Sequence, residues 1–252
     1  MIYKIFAFLK KILLRKDKIA SLSIVGVGPG DASLLTLTAL ELIKKANVIA
    51  YPVSDLNKNS FSLGIISKYI RFKKKVPIIF PMANEGYEPG KIWENAANMI
   101  SKYIKEKNAV VLICLGDPSI YASSSYVLRK IRKNYPNIKT TTIPGISSFS
   151  AAAALSNFDL VRHGEVLKIF ECPNNIIELL DLLEFKKKYR RVLVIMKLGK
   201  RWKWVKKALK DEGLLNKTLI AINIGTNKQV IDYAENITNE ELPYFSLLII
   251  RI

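Results

Sequence analysis

The sequence predicts an α/β protein made of two α/β domains with a ligand cleft between them. Three observations carry this. From Leu22 onward, short apolar runs of strand length alternate with longer segments whose apolar residues recur every three or four positions. The run "AVVLICL" (109–115) has no polar member, as expected of a strand covered on both faces of a parallel sheet. After Asn157 the rhythm changes, and the final strands follow one another without intervening helices, which points to an antiparallel component.

The elements follow in order. "SLSIVGV" (21–27) reads as a buried strand. "ASLLTLTALELIKKA" (32–46) is a helix with Leu35, Ala39, Leu42, Ile43 and Ala46 at helical spacing. "NVIAYPV" is a strand, "SLGIISKYI" a helix and "KVPIIF" a strand. "KIWENAANMISKYIKEK" (91–107) is the clearest helix, with Ile92, Trp93, Ala96, Ala97, Ile100, Tyr103 and Ile104 on one stripe. After the buried strand, "SSYVLRKIRK" is helical, "KTTTI" is a strand and "SSFSAAAAL" is a small-residue helix. In the second half "EVLKIF", "RVLVIM", "TLIAINI", "QVIDYAE" and "YFSLLIIRI" are strands, while "IIELLDLLEF" and "RWKWVKKALKDEG" are helices. This places an N-terminal extension at 1–19, one domain at 20–158 and a second at 159–252, joined near "LSNFDL". A cleft between two such domains is a natural ligand site.

Composition narrows the function classes. The chain has 252 residues, half of them hydrophobic, which is enough for a sizeable core. No apolar run reaches the ~18 residues of a membrane span. The net charge is +19, from 40 Lys and Arg against 21 Asp and Glu. Nucleic acid, an acidic small molecule, or the Lys-, Ile- and Asn-rich composition of an AT-rich genome would each account for it. The basic residues are spread over helices rather than gathered in an aromatic-interleaved block, so no nucleic-acid partner is expected. Two cysteines, Cys114 and Cys172, and one histidine, His163, without CxxC or HxxxH, predict no protein-built metal site. His163 has no motif around it and reads as a loop residue. The few cysteines and the lack of a secretory cleavage pattern predict a cytoplasmic location. Residues 1–18, "MIYKIFAFLKKILLRKDK", are apolar and basic; a helix on an anionic membrane, a targeting segment and an unstructured extension are all open readings.

In an open α/β sheet, ligands bind beyond the carboxyl ends of the strands. Three unusual loops fall there. In "GVGPGD" (26–31) the third glycine of a dinucleotide fingerprint would fall on Asp31, which is also placed to cap the following helix. The acid that precedes a common methyltransferase loop would fall on Ile24. Pro29-Gly30 suits a type II turn. In "LGDPSIY" (115–121), Asp117 is placed either to hold a cationic ligand or to cap a helix that Pro118 opens. In "IPGISSFSAAAA", Ser147 and Ser148 open a helix and are the candidates for ligand contact, while the alanines suit close packing. In the second domain, Met196-Lys197 and Gly225-Thr226 end strands and would complete a pocket.

A strand into "GVGPGD", then "LTLTALELIKKANVIAYP", "GDPSIY", "PGISSFSAAAA" and "VIMK", in this order, resembles the tetrapyrrole methylase family over nearly all of 22–252. "AYPVS", "FPM" with Trp93 eleven residues on, "GDPSIY", "PGISSFSA" and "YFSLLIIR" are most similar to its branch acting on C20 of precorrin-2 or cobalt-precorrin-2, in cobalamin biosynthesis. Other branches act on uroporphyrinogen III, later precorrins, ribosomal RNA or diphthine. The resemblance implies the tetrapyrrole methylase fold, a homodimer, and S-adenosylmethionine as methyl donor. Carried over by motif, the cofactor contacts are Pro29, Leu115, Gly116, Asp117, Ile120, Ser147, Ser148, Met196 and Gly225. Some family members have an Asp, proposed as a base, after the tyrosine of the second strand. Here Tyr51 is followed by Pro52, so no catalytic residue is assigned. The implied substrate carries eight carboxylates, for which Arg and Lys are suitable partners.

Overall fold

The computed structural model describes residues 20–81, 88–184 and 190–252. The extension at 1–19 lies outside the described residues. By contact the chain separates into two units. The first holds residues 20–27 and Leu35–Gly145; the second holds Gly28–Leu34 and Ile146–Ile252.

The first unit carries a five-stranded sheet of β1 (Ser21–Gly26), β2 (Val48–Val53), β3 (Lys74–Ile79), β4 (Ala109–Cys114) and β5 (Lys139–Ile143). Their order is β3-β2-β4-β1-β5, and every neighbouring pair is parallel. β4 is nearly all Val, Ile and Leu because it is buried on both faces, as its sequence predicts. Pro77 is tolerated because β3 is an edge strand, where a missing N–H breaks no inner ladder.

Among the described residues, four helices accompany this sheet: α1 (Leu37–Lys45), α2 (Phe61–Ile66), α3 (Pro89–Lys105) and α4 (Ser123–Asn134). α1 buries Ala39 and Ile43 and starts on Thr36, whose hydroxyl accepts from the Ala39 amide at 3.2 Å. Its C-terminal carbonyls are closed by Lys73, whose ammonium donates to Lys44 and Ala46 oxygens at 2.7 Å each. The helix is therefore shorter than its sequence suggests, and Leu35 lies outside it. Pro89 opens α3, where its missing N–H has no intrahelical partner to lose. Ala96, Ala97, Ile100 and Ile104 are buried as the stripe predicts, and Trp93 stacks on Tyr126 of α4, with centroids 4.1 Å apart and rings 6° from parallel.

The second unit carries β6 (Val166–Glu171), β7 (Arg191–Met196), β8 (Thr218–Ile222), β9 (Val230–Tyr233) and β10 (Ser246–Arg251), in the order β6-β7-β10-β8-β9. β6 and β7 are parallel, whereas β10 runs antiparallel to β7 and β8, and β9 antiparallel to β8. The antiparallel component expected from the strand spacing is present. Its helices are α5 (Ser148–Leu155), α6 (Ile176–Glu184) and α7 (Trp202–Asp211). Leu193, Ile195, Leu248 and Ile250 meet Leu179, Val205 and Leu209 in the core. Each such side chain contributes about 1.5–3 kcal/mol when fully buried. Trp202 sits in the same cluster, fully buried, and satisfies its indole by donating to the Asn239 carbonyl at 3.0 Å. Three alanines of α5, Ala151 to Ala153, are buried, so close packing explains them.

Candidate functional site

In the first unit the exits of β4, β1 and β5 lie side by side, because these strands are neighbours in one parallel sheet. Each exit carries a glycine: Gly116 after β4, Gly26 at the end of β1 and Gly145 after β5. A Cβ on Gly26 would fall 2.5 Å from the Gly116 oxygen and 2.7 Å from the Gly145 nitrogen. A Cβ on Gly145 would fall 2.9 Å from the Gly26 carbonyl carbon. The three loops thus meet backbone to backbone, a cradle of main chain that a side chain on Gly26 or Gly145 would break. Gly116 also needs its left-handed φ of 68°.

Asp117 binds this cradle together. One carboxylate oxygen accepts from the Gly145 amide at 2.9 Å, and the other accepts from the amide of Ser119 at 2.8 Å and from its hydroxyl. Asp117 does not cap a helix, and Pro118 does not open one: α4 starts five residues later, after Ala122. The loop between them is a turn in which the Ile120 amide donates to the Asp117 carbonyl at 3.3 Å. It ends on Tyr121, a non-glycine residue at φ 46°. Leu115 and Ile120 are half-buried on the same loop.

In the second unit the first glycine loop meets the exit of β8. A Cβ on Gly30 would fall 2.5 Å from the Ile224 oxygen, and one on Gly225 would fall 2.5 Å from the Asp31 nitrogen. Gly30 and Gly225, far apart in sequence, are thereby neighbours. The Pro-Gly pair is not a type II turn, which needs a positive φ at its second residue. The positive φ falls on Gly28 (76°) instead, and Gly30 is glycine because of the backbone against it. Asp31 accepts from the Ser33 amide at 2.7 Å and caps a short 3-10 turn (Ala32–Leu34) rather than α1. Pro29 itself is buried. Gly225 has φ 78°, and its amide donates to the Gln229 side chain at 2.8 Å.

Met196 is half-buried at the end of β7, and its carbonyl accepts from the Cys172 amide at 2.7 Å. The next residue, Lys197, is held at φ 61°. Burial lowers the Lys197 pKa, but the hydrogen bond and charge of Glu171, helped by Tyr244, outweigh it and leave the ammonium above its ordinary value. Arg201 ties the exits of β6 and β7 together: its guanidinium donates to the Cys172 and Lys197 carbonyls at 2.7 Å each and to the Asn174 side chain at 3.2 Å. Ser147 is buried at the start of α5, where its hydroxyl accepts from the Ser150 amide at 3.4 Å and pairs with the Ser150 hydroxyl at 2.8 Å. Ser148 is the first residue of that helix and half-buried.

The structure therefore joins Gly116 and Asp117 to Gly145, and Gly30, next to Pro29, to Gly225, while Met196 is tied to Cys172 and Ser147 to Ser150. Sequence reading missed the roles of Gly26, Gly145, Lys197 and Arg201. A glycine at a strand end was visible for the first two, but which backbone would lie against it was not. His163 is exposed in a turn. Among the described residues, no group of three or more His, Cys, Asp and Glu is placed to hold a metal ion. The first unit thus gathers closely packed glycine backbone, the half-buried Leu115 and Ile120 and the Asp117 carboxylate at one end of its sheet.

Comparison with known proteins adds a second line. The family described as tetrapyrrole (corrin/porphyrin) methylases matches residues 21–233. A protein of Methanocaldococcus jannaschii named probable cobalt-precorrin-2 C(20)-methyltransferase is 38% identical over 157 residues, 62% of this chain and 66% of its own length. The match thus spans slightly less than two thirds of that relative. The cobalt-precorrin-2 C(20)-methyltransferase of Salmonella typhimurium is 25% identical over 230 residues, 90% of this chain and 94% of its own. The X-ray structure of a cobalamin biosynthetic enzyme, cobalt precorrin-4 methyltransferase CbiF, superposes with a TM-score of 0.69 over 91% of this chain and 94% of its own, at 20% identity, which speaks to the fold.

Proposed function

The chain belongs to the tetrapyrrole (corrin/porphyrin) methylase family, and we propose that it is an S-adenosylmethionine-dependent methyltransferase acting on C20 of precorrin-2 or cobalt-precorrin-2 in cobalamin biosynthesis. The observation that carries this reading is the name shared by the archaeal and Salmonella relatives, the second matched along 94% of its length. We propose Pro29, Leu115, Gly116, Asp117, Ile120, Ser147, Ser148, Met196 and Gly225 as the cofactor contacts. A homodimer and a cytoplasmic location belong to the same proposal.

S-adenosylmethionine supplies a methyl group already activated on its sulfonium, so the protein has to align the acceptor carbon with it and exclude water. In this reading the backbone around Gly116 and Gly145 offers close approach, and Leu115, Ile120 and Met196 provide apolar contact. Asp117 organises the cradle through Gly145 and Ser119 and retains lone pairs for a cationic or hydroxyl group. No nucleophilic side chain is needed. Cobalt, where present, arrives inside the substrate.

The test is anaerobic incubation of the protein with labelled S-adenosylmethionine and either precorrin-2 or cobalt-precorrin-2. Label at C20 of either is the expected result. Methylation of uroporphyrinogen III, a later precorrin or ribosomal RNA, with neither of these labelled, would overturn the substrate assignment.

A further inference from the structure

The five strands of the first unit run parallel, so their starts, from Ser21 of β1 to Lys139 of β5, line one edge of the sheet. The segments at that edge are 44–45, 67–75, 102–108 and 132–139. They carry thirteen Lys and Arg and a single acid, Glu106. The loops 54–60 and 115–122 at the opposite edge carry one lysine, Lys58, and two acids, Asp55 and Asp117. A composition bias alone would load both edges. Here the charge is concentrated on the edge away from the cradle of glycines.

The same edge carries a protruding aromatic residue. Phe72 is 93% exposed, between Arg71 and Lys73-Lys74-Lys75. Cations lie over the aromatic rings of this edge: Arg71 over Phe72, Lys68 over Tyr69, Lys74 over Tyr103 and Lys105 over Tyr135. Single-stranded nucleic acid would need open ring faces on which to stack. A lone exposed phenylalanine inside a field of cations is instead the pattern of a surface that meets lipid headgroups and dips one apolar side chain below them. Ala20, where the apolar and basic sequence 1–18 joins the unit, lies at this edge too.

We propose that the amino-terminal edge of this sheet is a docking face for an anionic membrane surface, with Arg71, Lys74, Lys75, Lys105 and Lys107 facing lipid phosphates and Phe72 entering the headgroup layer. The binding is peripheral: among the described residues, no helix is long and apolar enough to cross a membrane. It is independent of the proposed methyltransferase activity.

The experiment is flotation of the full-length protein with vesicles of equimolar phosphatidylglycerol and phosphatidylcholine, and with phosphatidylcholine alone. Binding to the anionic vesicles only, released by salt, is the expected result. The variant Phe72→Ser/Lys74→Ser/Lys75→Ser is expected to partition about tenfold less, or weaker still. Lys73 is left intact because it closes α1. Phe72→Ser alone, at a side chain almost wholly in solvent, should give a several-fold loss with unchanged Tm. A charge-matched control on α7, Lys207→Ser/Lys210→Ser, should bind as the parent does. The proposal is overturned if the parent ignores anionic vesicles or prefers RNA to them. It is equally overturned if the triple variant binds undiminished, which would assign binding to 1–18, or if the control loses as much, which would assign it to net charge.

Discussion

Gly30 and Gly225 lie backbone against backbone: a methyl group on the first would fall 2.5 Å from the Ile224 oxygen, and one on the second 2.5 Å from the Asp31 amide nitrogen. This contact, rather than turn geometry, is why position 30 is glycine, whereas position 225 also needs its φ of 78°. Gly30→Ala and Gly225→Ala are each expected to cost about 1–3 kcal/mol or more, since backbone has to move in both. Because both crowd one backbone contact, and one separation of the two backbones makes room for either methyl group, the double variant should cost less than the sum. Gly64, inside α2 with open space around its Cα, is the contrast: Gly64→Ala should stabilise by about 0.5–1 kcal/mol. Urea denaturation of the four proteins measures this, and an equal response at positions 30 and 64 would contradict it.

Asp117 has both a structural and a proposed binding role, and these separate experimentally. Asp117→Ala leaves the Gly145 and Ser119 amides without their acceptor, so it should cost about 1–3 kcal/mol. It should also weaken S-adenosylmethionine binding in calorimetry. Asp117→Asn keeps one acceptor oxygen and should recover part of the stability. Loss of stability with unchanged cofactor affinity would leave Asp117 as a loop brace only.

Both thiols are buried in the folded protein. Burial pushes Cys114 up to about 12, only partly offset by the neighbouring Ser124 hydroxyl, and burial pushes Cys172 up to about 11, against the nearby Arg201. A disulfide-exchange reagent at about pH 8 should label neither until denaturant is added. The folded pKa values lie above the ordinary 9.0. Their contribution to stability is therefore complete below that value and is lost as the pH rises from there toward 11 and 12. Cys114→Ser and Cys172→Ser should each flatten the alkaline decline of Tm.

The Glu165–Arg251 pair contributes on the acid side. The hydrogen bond and charge of Arg251, with the Arg162 amide, hold the Glu165 carboxyl below its ordinary range. Arg251 also donates to the Asp159 carbonyl, so β10 is fastened to the chain leading into β6. A depressed pKa contributes stability above the ordinary carboxylate value, and that contribution fades as the pH falls below it. Glu165→Gln should lower Tm at neutral pH and should narrow its difference from the parent in acid. A difference that does not change with pH would rule out the ion pair as the cause.

The sequence by itself determined where most strands and helices lie, the antiparallel component among the final strands, and the family. Those features are local or periodic: "AVVLICL" is a buried strand wherever it lies, and "GDPSIY" and "PGISS" stand at strand exits whatever packs on them. Tertiary structure decided what individual loop residues do. Asp31 and Asp117 looked alike as acids placed to cap helices, yet one closes a 3-10 turn and the other bridges to Gly145. Gly30 looked like a turn glycine and is a contact glycine. Sequence spacing reports the chain's own neighbours, whereas these roles depend on which distant backbone arrives within 3 Å. That arrival is set by strand order: β1 lies between β4 and β5, and so Gly26, Gly116 and Gly145 come together. The basic edge of the first sheet has the same origin. Its lysines come from four separate stretches of the chain, and only the parallel arrangement gathers them on one face.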